Sequence, residues 1–118
     1  MAPAEFFGAM LPAIIATRRD IFDAAPGRLC VIVHGVGAWT ITFGDHTSKT
    51  AVEPQLDFDA DLVATFTPKG FQTLLAGEPL DVEHGEPVWM GDLKLLDRFG
   101  RLLVPPSRGG IAARIANL

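Results

Sequence analysis

Cys30 and His34 are residue types that can work together, a thiol nucleophile beside an imidazole base. They lie four residues apart in a run rich in β-branched residues, 29–34, which reads as a strand. On a strand that spacing puts both on one face, but roughly 13 Å apart at about 3.3 Å per residue. Neither a nucleophile–base contact nor a shared metal ion is within reach, and the pair reads as a buried thiol and a strand-end imidazole beside a turn. A second cluster, Asp81, Glu83, His84 and Glu86, offers carboxylates and an imidazole suited in type to a divalent cation. Its spacing matches no calcium-loop pattern, so it reads as a solvated acidic loop. Gly35-Val36-Gly37 lacks the third glycine and the following helix that dinucleotide binding requires, and reads as a hairpin turn. No catalytic constellation emerges, and neither a metal nor a cofactor is expected.

Periodicity defines the elements that must carry these residues. Phe7, Met10, Leu11, Ile14, Ile15, Arg18 and Ile21 recur at helical spacing through residues 3–22, with Pro12 expected to kink the segment or start a second helix. Ala24-Ala25-Pro26-Gly27 ends it. Residues 29–34 and 38–43 predict a hairpin in which Trp39, Ile41 and Phe43 share a face. After the turn at Gly44-Asp45, a short strand within 49–53 and a stronger one over 60–66 complete three or four antiparallel strands in a meander. Thr67 stands at an N-cap, Pro68 at the first helical position, and Phe71, Leu74 and Leu75 on one stripe before Gly77 stops the helix. Residues 78–87 read as a solvated loop, and 88–96 as a strand in which Gly91-Asp92 marks a bulge or a close backbone approach. Asp97 is the expected cap of a helix carrying Phe99, Leu102 and Leu103, which Pro105-Pro106 ends. Residues 107–118 form an amphipathic piece with Ile111, Ile115 and Leu118 on one side, suited either to cover a cavity mouth or to complete the core.

A length of 118 residues suits one domain, 1–118, with one core. The apolar fraction is 48%, with eight Phe, two Trp and no Tyr, and the mean hydropathy is +0.27. That apolar surplus needs an ordinary core, a lined cavity for an apolar ligand, or an oligomer interface. The net charge of -4 and a pI near 5.2 argue against nucleic acid as a partner, because affinity for phosphate comes from clustered Lys and Arg. A lone cysteine cannot form an intramolecular disulfide, which points to a reducing, cytoplasmic setting. The apolar run 6–16 follows Glu5 and falls short of the roughly 18 residues of a span, so neither a signal peptide nor a membrane span is expected.

Several local signatures occur together: Trp39-Thr40-Ile41-Thr42-Phe43 with Gly44-Asp45, then Ala60-Asp61, then Phe71 to Gly77 ending Leu75-Ala76-Gly77, then Met90-Gly91-Asp92-Leu93-Lys94-Leu95. Over residues 30–103 this set resembles the sterol carrier protein type 2 (SCP2) family. The chain departs from the family pattern at Leu96-Asp97, where a second Gly-Asp is usual, and in the longer loop before Trp89. The resemblance implies an α+β fold, an SCP2-like, five-stranded, mostly antiparallel sheet covered by helices on one face, with an apolar tunnel between the layers. It also implies a lipid partner, a fatty acyl chain, sterol or other lipophilic molecule; domains of the family also occur as accessory parts of enzymes, and an enzyme is the third reading, since no residues here are evident that would do chemistry. The elements that bound the family's tunnel here carry Phe71, Leu74, Leu75, Trp89, Met90, Phe99, Leu103 and Ile111, which become the candidate lining. The alternative is an accessory or scaffold subunit that spends the apolar surplus on contacts with a second copy or an enzyme partner. Ala116-Asn117-Leu118 is similar to the peroxisomal address of some family members, but Asn117 stands where that signal needs a basic residue.

Overall fold

The N-terminal apolar stripe becomes helix in short pieces. In the computed structural model of the chain, which describes residues 2–44, 51–81 and 86–103, α1 (Pro3–Glu5) leads into a π-helical turn (Phe6–Met10), then α2 (Leu11–Thr17) and α3 (Arg19–Phe22). Pro12 explains the wide turn. A regular helix would press its ring onto the carbonyl four residues earlier, whereas here the Leu11 N–H reaches back to the Phe6 carbonyl and the helix widens before the proline. Of the two expectations at Pro12, a kink or a second helix, the structure starts α2 with the proline in its first turn, just after the π-turn.

The sheet holds five strands in the order β3-β2-β1-β4-β5: β1 (Gly27–Val33), β2 (Gly37–Phe43), β3 (Val52–Glu53), β4 (Leu62–Phe66) and β5 (Val88–Gly91). β1 and β2 form the expected hairpin, with Val31 opposite Trp39. The meander is corrected at the next step, because β4 lies beside β1 and parallel to it, Val31 opposite Ala64. Between β3 and β4 the chain crosses the face of the sheet away from the helices. The Thr40 hydroxyl donates to the Gln55 carbonyl at 2.7 Å, and the Asp57 N–H donates to Cys30 Sγ at 3.4 Å. Arg28 pairs with Asp57 at 2.8 Å, and its N–H donates to Asp61 Oδ2 at 2.8 Å. Period-two patterning marks where strands are, and leaves their neighbours to such crossover contacts.

α4 (Pro68–Leu75) and α5 (Lys94–Leu103) pack with the N-terminal helices on the other face. Arg98 ties α5 across that layer, donating to the Ala25 carbonyl at 2.8 Å with its guanidinium 5.3 Å from the Phe43 ring centroid. Two expectations about this region are corrected. The strand predicted to reach residue 96 stops at Gly91, whose φ of 116° turns the chain away. α5 then starts from Asp92, whose carboxylate accepts the Lys94 N–H at 3.0 Å, while Asp97 lies inside the helix and pairs with Arg101 at 3.0 Å. The loop after α4 is not wholly solvated either, since Leu80 is buried in the core.

Thr67 caps α4 as expected, its hydroxyl accepting the Gly70 N–H at 3.0 Å. Glu86 completes the cap by accepting the Thr67 hydroxyl at 3.0 Å and the Thr67 N–H at 3.2 Å. A carboxylate at a helix N-terminus also complements the helix dipole. Thr67→Ala should lower stability by about 1 to 2 kcal/mol, seen as an earlier urea midpoint at unchanged slope. Thr67→Ser should restore most of it; equal losses in both variants would show that the hydroxyl is not what matters.

Candidate functional site

A cluster of aromatic rings packs within the core between sheet and helices. Phe7 stacks on Trp39 with centroids 4.6 Å apart and planes at 14°, and touches Phe71 at 5.5 Å and Phe99 at 6.5 Å. Phe6 meets Phe7, Phe71 and Phe99 edge-on at 5.1, 5.8 and 6.3 Å. Phe66 closes the cluster on Phe71 at 5.9 Å. Edge-to-face and offset pairs of this kind are the favoured arrangements of ring quadrupoles.

Beyond Phe6 the packing opens into a cleft of about 330 Å³ lined by Phe6, Met10, Ile14, Gln72, Leu75, Ala76 and Leu103. One wall is the ridge Phe6, Met10, Ile14, residues four apart on the N-terminal helices. The facing wall comes from α4 and its C-cap, where Gln72, Leu75 and Ala76 lie at i, i+3 and i+4, and Leu103 at the end of α5 closes one side. Among the described residues no lining side chain is charged, and Gln72 is the one polar group. Such a surface can hold a ligand by burial.

Of the candidate lining residues, Leu75 and Leu103 lie in this cleft. Phe71, Leu74 and Phe99 are fully buried within the core. Trp89 and Met90 lie on the edge strand β5, opposite Ala64 and Val63 and therefore on opposite faces of the sheet, and both are exposed. Ile111 lies outside the described residues, as does the whole amphipathic piece 107–118. The candidate lining omitted Phe6, Met10, Ile14, Gln72 and Ala76, although Met10 and Ile14 were on the N-terminal helical stripe. The signal was the i, i+4, i+8 series Phe6, Met10, Ile14, which runs beside the more conspicuous stripe through Phe7 and Leu11.

The polar candidates stay apart. Cys30 is buried beneath the crossover loop, whereas His34 is exposed at the hairpin turn, its N–H donating to the Phe66 carbonyl at 2.9 Å. Glu86 is engaged in the α4 cap, and Glu83 and His84 lie outside the described residues. Among the described residues no three His, Cys, Asp or Glu side chains gather as a metal site, and no helix is long and apolar enough to cross a membrane.

Neither protein-family models nor curated protein sequences match the chain. Solved structures do. A solution NMR structure of palmitated SCP2L2 from Aedes aegypti superposes with a TM-score of 0.63 over 89% of this chain and 96% of that one, at 13% identity. The sterol carrier protein domain 2 of Helicoverpa armigera gives 0.62 over 87% and 90%, at 15% identity. UbiJ-SCP2, a ubiquinone synthesis protein, gives 0.55 over 80% and 83%, at 18% identity. With its five-stranded mixed, mostly antiparallel sheet and its helical layer on one face, the chain has the SCP2-like fold.

Proposed function

We propose that this chain is a non-catalytic lipid-binding or carrier domain that holds the apolar part of a lipophilic molecule in the cleft beside Phe6. The observation that carries this reading is the cleft itself: about 330 Å³, lined among the described residues by apolar side chains and one amide, with no charged group. That volume lies at the lower end of small-molecule sites. The fold supports it too, because a protein of the same fold was solved in palmitated form. Each methylene removed from water contributes about 0.8 kcal/mol, so an acyl chain needs few polar anchors. Placement in the cytoplasm belongs to the same proposal.

Met10 offers a clean test because it lines the cleft and is 44% exposed, so its replacement spares the core. Met10→Lys should weaken binding of a fluorescent fatty acid more than about tenfold, since a charge in an apolar site is paid for by desolvation, and should leave the melting temperature nearly unchanged. Wild-type binding that Met10→Lys leaves intact would place the ligand elsewhere. No uptake of fatty acids by the wild type, together with no lipid adduct by native mass spectrometry, would remove the reading altogether.

A second reading, an accessory or scaffold subunit, is favoured by the edge strand β5. Val88, Trp89 and Met90 are 63%, 41% and 64% exposed, and an uncharged apolar edge strand is a template for pairing with another chain. Light scattering separates the two: a monomer that takes up ligand supports the carrier, and a stable dimer that takes up none supports the scaffold.

A further inference from the structure

Among the described residues, six of the seven that line the cleft are intermediate or exposed; Phe6, 1% exposed, is the one that is buried in the core. It is therefore the floor. Behind it stand the rings of Phe7, Phe71 and Phe99, with centroids 5.1 to 6.3 Å from its own, so the space does not continue inward between sheet and helices. The π-turn fixes this placement, because the Phe6 carbonyl is the one that accepts the Leu11 N–H. Among the described residues the cleft has an apolar floor, apolar walls and one amide on an exposed residue, and offers no ion-pair partner to a headgroup at its base.

We infer that the cleft takes one unbranched alkyl chain, methyl end first, and that Phe6 is the residue that sets the length of chain it can bury. This rests on the proposed lipid-binding reading. If a methylene fills about the 30 Å³ share of a water molecule, 330 Å³ holds on the order of ten chain carbons. Carbons beyond that number stay at the mouth in water and add little.

The test is a series of straight-chain fatty acids, six to sixteen carbons long, titrated by calorimetry into the wild-type chain and three variants. Wild-type affinity should rise about fifteenfold for each two methylenes and then level off near ten carbons. In Phe6→Ala the acid two carbons past the wild-type plateau should gain about fifteenfold, because the floor has moved inward. Phe6→Leu should act in the same direction with a smaller gain. Phe7→Leu removes a ring from the same cluster without touching the cleft, and its plateau should stay where the wild type has it. A plateau that shifts equally in the Phe6 and Phe7 variants, or fails to shift in a folded Phe6 variant, overturns the inference. So does wild-type affinity that climbs without levelling to sixteen carbons, a result needing no variant at all. No binding by the wild type at any length would instead be the failure of the lipid-binding reading itself.

Discussion

Replacing Gly91 with alanine should cost about 3 kcal/mol or more, counting one strained backbone position and one lost hydrogen bond. Gly91 ends β5 at φ 116°, a conformation that side chains with a Cβ rarely adopt. A Cβ there would also clash with the Asp61 carbonyl oxygen, and would sit 3.0 Å from the Asp61 carbonyl carbon and 3.1 Å from Leu62 Cα. All three are backbone atoms at the start of the paired strand, so nothing can swing aside. The same Asp61 oxygen accepts the Asp92 N–H at 2.9 Å, and Asp92 in turn starts α5. Relief of the clash must therefore loosen the β4–β5 edge and the entry to α5 together. Chemical denaturation should show the loss as a much earlier midpoint. Gly8→Ala, where nothing lies within 4 Å of the added atom, should be neutral or slightly stabilising. Equal stability of Gly91→Ala and wild type would mean that β5 does not approach Asp61 as closely as described.

That close approach is one of the features legible in the sequence, since a glycine inside an apolar strand pattern announces either a bulge or a neighbouring backbone. The Trp39 hairpin and the Thr67-Pro68 helix start were legible for the same reason: each is determined by residues within a few positions of one another. What was not legible depends on contacts far along the chain. Asp92 and Asp97 are equally good caps locally, and only the turn at Gly91 decides that the helix starts at the first. β4 has the alternation of an antiparallel strand, yet Arg28, Cys30 and Thr40 hold the crossover loop across the sheet and bring β4 parallel to β1.

The candidate site was harder still. Helical spacing marks Phe6, Met10 and Ile14 as one ridge and Phe7, Leu11 and Ile15 as another, without telling which faces the sheet. The π-turn buries both Phe6 and Phe7 and leaves Met10 at the cleft. Likewise an apolar stripe such as Phe71, Leu74 and Leu75 looks the same whether its surroundings are packed or hollow. In the folded chain Phe71 and Leu74 are covered completely, and Leu75, one residue further round α4, reaches the open space. A fold is therefore a frame on which the site is built by a handful of side chains, and likeness of the frame alone does not assign the ligand.

Phe7→Ala should produce the other large loss of stability, about 3 to 5 kcal/mol. Phe7 is 1% exposed and is the ring through which four elements meet: it lies on the π-turn, stacks on Trp39 of β2, and touches Phe71 of α4 and Phe99 of α5. Its removal gives up both the burial of the ring and the favourable ring pairs, and the surrounding Phe side chains are too rigid to fill the space. In a chain of this size the loss corresponds to a fall in melting temperature on the order of 15 °C, a large share of the stability a domain has to spare. Trp39 reports the change directly, because the residue is buried and its indole loses its stacking partner; its emission should shift to the red in the folded variant. Phe7→Leu should fall between the two. A loss below about 1 kcal/mol would be typical of a surface substitution and not of a closely packed core position, and with an unshifted Trp39 emission it would show that Phe7 is not the ring on which the helices and the sheet are joined.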